Sequence, residues 1–150
     1  TAYGFLHDTD AFVTSGGNQY FQNTAWSDQY LYLRNDQDVN KSGSTYIAYL
    51  FASLDGVSKV GSVSHSGSST DVNCGFSNGA RFVMLKRTDA SGDWYVWDSV
   101  SGIIAANDPY VLLNTSAAQV TSTDFIDPLS SGFQISGAFT DGDYLFYAIA

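Results

Sequence analysis

The sequence contains no glutamate. All 15 of its acidic residues are aspartate, Lys and Arg together number six, and the 150-residue chain carries a formal charge of −9. Glu, Lys, Arg and Leu are the straight-chain helix formers, whereas Asp, Asn, Ser and Gly compete with helices through local hydrogen bonds or backbone freedom. A helix bundle or coiled coil is therefore excluded. With one cysteine, Cys74, the chain forms no internal disulfide, which fits assembly in a reducing cytosol. No apolar run approaches the roughly 18 residues of a membrane-spanning helix, so a membrane is not expected as a partner. The negative charge repels phosphate backbones and argues against nucleic acid. The leading Thr1 fits either loss of an initiator Met or excision from a longer chain.

What is abundant is aromatic and turn chemistry. Aromatics make up 15% of the chain and hydrophobics 44%, far too much for a disordered protein. Short β-branched and aromatic runs recur at 30–33, 45–51, 57–64, 80–86, 94–97, 110–113, 132–135 and 143–149. Gly-, Ser-, Asn- and Asp-rich turns separate them. This predicts an all-β protein, an antiparallel β-sandwich of concanavalin or jelly-roll type. Residues 144–149 are apolar on both alternating faces, which predicts a central strand covered on both sides. Thr115–Thr121 is expected to form one short helical turn capped by Asn114.

The chain also repeats itself. Tyr3–Ser15 aligns with Tyr110–Ser122, and Thr45–Ala52 (TYIAYLFA) aligns with Asp143–Ala150 (DYLFYAIA). Residues 56–104 occur once. Residues 1–55 therefore read as the C-terminal half of a repeat and 56–150 as one complete repeat, within a single sandwich unit. Half a sandwich exposes an apolar face that must pack on something.

Candidate chemistry is sparse. A nucleophilic mechanism needs an imidazole or equivalent base, and neither His7 nor His65, the latter in a polar turn expected to be exposed, sits in a catalytic pattern. Aspartate pairs such as Asp124/Asp127 and Asp93/Asp98 would need to lie roughly 5–9 Å apart, with one raised pKa, to act as a glycosidase. Most of the aspartates fall in turns. No catalytic residue and no bound cofactor are expected. The one weak metal candidate is Ca²⁺ at Asp36, Asp38 and Asn40, a D-x-D-x-N run lacking the glycine and glutamate register of an EF-hand; Asp8/Asp10 and Asp141/Asp143 are shorter versions. Tyr20, Phe21, Trp26, Trp94 and Trp97 are the candidates for a subunit interface or a glycan-stacking platform. In a strand, Trp94 and Val96 share one face and Tyr95 and Trp97 the other, so one set points away from the core unless a second layer covers it.

One long pattern stands out. It runs from Gly75-Phe76 through Arg81-Phe82-Val83, Lys86-Arg87-Thr88-Asp89, Trp94 and Trp97-Asp98-Ser99. It continues through Leu113-Asn114-Thr115-Ser116, Ser122-Thr123-Asp124, Ile126-Asp127 and Gly132-Phe133. This resembles a repeated β-rich domain of unassigned function in virion structural proteins of tailed phages, especially marine and cyanobacterial ones. That domain often occurs in tandem, sometimes beside a concanavalin-like sandwich. The resemblance covers residues 40–150 well and 1–39 more loosely. The chain departs from it at Asp71–Cys74 and in a shortened turn at 137–142. It implies a non-enzymatic structural protein on the virion surface, assembled in the host cytoplasm, as a capsid decoration or a tail-fibre module. Its partners would be other virion proteins or copies of itself in a homo-oligomer. The alternatives are a lectin-like module for host-surface glycans and a self-assembling extracellular filament subunit.

Overall fold

A computed structural model describes residues 2–13, 20–22 and 30–150. Among them there is no helix; the elements are eight strands. These are β1 (Ser58–His65), β2 (Thr70–Asn73), β3 (Phe82–Arg87), β4 (Trp94–Asp98), β5 (Tyr110–Leu112), β6 (Ile126–Leu129), β7 (Gly132–Ile135) and β8 (Gly142–Ile149). They form a five-stranded sheet, β1-β8-β3-β4-β5, and a three-stranded sheet, β2-β7-β6, antiparallel throughout. The two sheets pack face to face as a β-sandwich, as the composition predicts. The chain divides into two compact units, one of Thr1–Tyr3 and Val13–Leu50, the other of Gly4–Phe12 and Phe51–Ala150. All eight strands belong to the second.

Alternation builds the core of that second unit. Val83 and Leu85 of β3, Trp97 of β4, and Tyr144, Phe146 and Ala148 of β8 point inward against Val72, Ile126, Phe133 and Ile135 of the smaller sheet. An aromatic cluster seals one end, where the Tyr95 ring stacks on Trp97 at 5.5 Å and meets Phe139 edge-on at 5.1 Å. β8 lies between β1 and β3, paired along its length on both sides. Its apolar character on both faces suits that central position. Pro128, which cannot donate to a ladder, falls in β6 at a sheet edge. Gly132 opens β7 where a Cβ would run into the Val72 carbonyl of the paired strand, so only glycine fits there.

The first unit has no extended sheet among its described residues, only bridges; one matches the complete sandwich at aligned positions and the other in chain order. Tyr3 and Val13 exchange both backbone hydrogen bonds, 3.3 and 2.9 Å, and so do Tyr110 and Val120, 3.0 and 3.0 Å. Phe21 bridges Leu33 with Arg34 N–H donating to Tyr20 O at 2.9 Å; Ile126 pairs Ile135 with Ser136 N–H donating to Phe125 O at 2.9 Å. The Tyr3 ring meets Tyr20 at 4.7 Å, and the Tyr110 ring meets Phe125 at 5.7 Å. Inside the aligned loops, Asp8 Oδ1 accepts from Asp10 N–H and Thr115 Oγ1 from Ala117 N–H, both at 3.2 Å.

Three expectations are corrected. Thr45–Phe51 is not a strand: every residue in it is exposed, and no backbone hydrogen bond reaches it among the described residues. Residues 30–33 form no strand; Leu33 makes a single bridge to Phe21, and the Tyr32 carbonyl accepts the Gln22 N–H. Thr115–Thr121 forms no helical turn; Asn114 instead accepts the Trp94 N–H at 2.9 Å and donates to Asp93 at 2.8 Å, holding β5 to β4.

Candidate interaction surface

Several polar side chains of the complete sandwich hold the fold. His65 is buried at the β1–β2 corner, not exposed as its polar flanks suggest. Its Nε2 donates to Phe139 O at 3.2 Å and its Nδ1 lies 2.9 Å from Thr70 Oγ1, tying the two sheets together. Asp98 caps the turn after β4, accepting from Val100 N–H at 2.8 Å and Ser101 N–H at 2.9 Å; these bonds hold its pKa down. Arg87 and Asp89 pair at 2.8 Å, and that hydrogen bond brings the Asp89 carboxyl down to about 2. Burial pushes the Cys74 thiol up to about 11, which makes it an inert core group.

Asp108 is the most perturbed carboxylate. It is fully buried beside the aromatic cluster, and Oδ1 accepts from Phe125 N–H at 2.8 Å. Among the described residues Oδ2 has no hydrogen-bond partner, and neither does the Trp97 indole N–H. Burial raises its pKa to about 6 against the opposing pull of the Phe125 and Ile126 amides. It anchors the loop between β4 and β5; no nucleophile or second acid faces it among its hydrogen-bond partners.

The strap Gly4–Phe12 covers the outer face of the five-stranded sheet around Trp94 and Lys86. Lys86 emerges on this face and is 1% exposed. Its Nζ donates to Asp10 O at 2.9 Å and Gly92 O at 2.6 Å, and it lies 5.8 Å over the Trp94 ring. Burial lowers the Lys86 pKa, opposed by Asp8, Asp93 and Asp10. The Trp94 indole donates to Phe5 O at 3.0 Å, while Phe12 N–H donates to Thr88 O at 3.1 Å. The second layer that the strand alternation required is thus this strap. Asp8 and Asp10 serve Lys86 and their own turn.

The interaction candidates separate accordingly. Trp97 is wholly buried and Trp94 is 8% exposed, so both take the core alternative and neither offers a ring to a glycan or subunit. Tyr20 is buried and its hydroxyl donates to Asp38 Oδ2 at 3.3 Å; Phe21 is half-buried beside it in the chain. Trp26 lies outside the described residues. Of the calcium candidates, Asp36 Oδ1 accepts from Asp38 N–H at 2.8 Å and Asn40 N–H donates to Asp36 O at 2.9 Å, a self-contained turn. Among the described residues no three acidic, His or Cys side chains converge as metal ligands would.

The surface the interface candidates missed is Thr45–Phe51. Ile47 is 81% exposed, Tyr49 80% and Leu50 75%. No charged residue interrupts them. Tyr46 is held at its hydroxyl by Lys41 N–H at 3.1 Å and Gln37 O at 3.2 Å. Phe51, at the far end, turns onto Tyr147 with ring centroids 4.7 Å apart. The backbone of Thr45–Phe51 makes no hydrogen bond to another backbone group among the described residues, and an exposed apolar run of this kind has the chemistry of an interaction surface.

A model of the domain of unknown function DUF7483 matches residues 1–150. The chain belongs to this family. No curated protein and no solved structure matches it. The DUF7483 match takes in both compact units, so the exposed segment lies inside the family's domain.

Proposed function

We propose that this chain is a non-enzymatic structural component of a tailed-phage particle, displayed on the virion surface as a capsid decoration or a tail-fibre module. It acts by protein–protein assembly with other virion proteins or with copies of itself. The observation that carries the reading is the uncharged apolar run Thr45–Phe51, exposed on a β-sandwich protein whose buried polar groups serve the fold. The residue pattern from Gly75 to Phe133, which resembles phage structural repeats, supplies the setting. The lectin reading loses support because Trp94 and Trp97 are buried. A formal charge of −9 keeps such a module off packaged nucleic acid.

Quantitative mass spectrometry of purified phage particles tests this. Hundreds of copies per particle mean decoration, and a few to tens mean a fibre or tail part. Absence from particles overturns the reading. Specific binding on a glycan array, abolished by Trp26→Ala, would favour the lectin instead.

A further inference from the structure

We propose that Thr45–Ala52 is a docking strand: the last strand of an incomplete sandwich, with no strand partner among the described residues. Its occupant is the front half of another repeat, a segment carrying strands of the β1, β3 and β4 type. This assignment rests on geometry inside the chain and stands whether or not the protein belongs to a virion.

The bridges Tyr3/Val13 and Phe21/Leu33 reproduce Tyr110/Val120 and Ile126/Ile135 in order, with the same adjoining bonds and with a ring contact beside each pair, edge-on for Tyr3–Tyr20 and stacked for Tyr110–Phe125. Tyr3, Val13, Tyr20, Phe21, Leu33 and Arg34 therefore follow the bridge pattern of a sandwich's back half. In the complete unit that back half leads into β8, flanked by β1 and β3. In the first unit it leads into Thr45–Ala52. Tyr46, Ala48 and Leu50 align with Tyr144, Phe146 and Ala148, which are buried, yet the first three are exposed. The residues that would bury them correspond to 53–109, and the sequence holds that segment only once, already paired with β8.

The β1 edge of the five-stranded sheet is held by residues 53–58 of its own unit. Leu54 pairs with Ser58 through bonds of 2.9 Å, and the Ser53 hydroxyl takes the Val60 N–H at 3.0 Å. A side chain thus occupies the edge position where a preceding backbone would continue. A whole second copy offers no vacant slot either, since its β1 and β3 hold its own β8. A front half without its own last strand offers both ladders and an apolar inner face, which is strand addition in its most complementary form.

The test fuses a second copy of residues 53–109 directly ahead of Tyr3, the junction the alignment dictates, and tracks amide hydrogen exchange. In the unextended chain the amides of 46–51 exchange at nearly unstructured rates. In the extended chain they slow by more than about 100-fold, as strand amides do. Leu50→Asp in the extended chain restores fast exchange, while in the unextended chain it leaves Tm unchanged. Several results overturn the proposal. One is fast exchange in the extended chain, including a chain whose added segment fails to fold, because the same residues fold beside the complete back half. Equal protection from a scrambled 53–109 extension is another. Protection in the unextended chain that rises with protein concentration would assign the strand to a second copy.

Discussion

β8 and Thr45–Ala52 are close to one sequence in two settings. Each is an uninterrupted aromatic and aliphatic run. β8 pairs on both sides and buries Tyr144, Phe146 and Ala148. Thr45–Phe51 has no strand partner among the described residues and leaves Ile47, Tyr49 and Leu50 in solvent. Strand propensity is similar in both, so propensity did not decide the outcome. Flanking strands did, because what a strand sequence expresses is fit to a pleated, covered surface. A large side chain buried in such a place contributes about 1.5–3 kcal/mol over an exposed one.

The largest effect should come from the core end of this comparison. Phe146→Ala removes a ring that packs on Phe133 at 5.7 Å and should cost about 3–5 kcal/mol in urea unfolding. Leu50→Ala, its neighbour in the aligned frame, should cost less than about 0.5 kcal/mol. A Leu50 penalty near that of Phe146 would break the comparison, since it would mean the segment is packed in solution.

The next effect is a pH dependence. Burial raises Asp108 to about 6 in the folded protein, against about 3.9 in an unfolded chain. Between those values the folded state binds more protons, so stability falls as pH rises from about 4 to about 6 and levels off above. The loss is on the order of 2–3 kcal/mol. Asp89, held at about 2 by Arg87, acts in the opposite direction: its contribution is present above about pH 4 and is lost as pH falls toward 2. Asp108→Asn should therefore flatten the slope between pH 4 and 6 and leave the acid limb intact. Urea melts at a series of pH values check this; an unchanged slope in the variant would assign it to other groups.

How much of this was readable in the residues depends on how local each cause is. The sandwich class was legible, because turn chemistry and strand runs act over a few residues. β8 as a central strand was legible from its two apolar faces. The exposure of Thr45–Phe51 was not, because the same signal that marks β8 marks it too, and the missing partner strands are a tertiary fact. Trp94 was ambiguous for a similar reason: alternation showed that one face of β4 needed a cover, but only the fold shows that Gly4–Phe12 supplies it. Lys86 gives no local sign of its burial, which depends on the Asp10 carbonyl from the far strap and the Gly92 carbonyl across the β3–β4 turn. His65 and Asp108 were hidden in polar flanks that the fold turns inward.

A smaller effect sharpens the fit around β8. Gly61 lies opposite Phe146 in the β1–β8 ladder, and a Cβ there would stand 2.7 Å from the ring. Gly61→Val should cost about 1–3 kcal/mol through overpacking. Combined with Phe146→Ala the two penalties should fall short of their sum, because the added side chain enters the space the ring vacates. Strict additivity would show that the glycine serves the backbone and not the ring.

The smallest effect belongs to the exposed strand. Ile47→Ser with Tyr49→Ser removes two of the most exposed large apolar side chains and should change the unfolding free energy by less than about 0.5 kcal/mol. In the chain extended by residues 53–109 the same pair aligns with Leu145 and Tyr147, the half-buried outer-face positions of β8. There the pair should lower the stability of the completed unit measurably, by about 1–2 kcal/mol, since partly buried side chains lose part of their transfer energy. The contrast between the two backgrounds carries the weight. If the pair is neutral in both, the extension has not covered the strand. If it is costly in both, Thr45–Phe51 is packed already, and its difference from β8 lies in side-chain detail, not in missing partners.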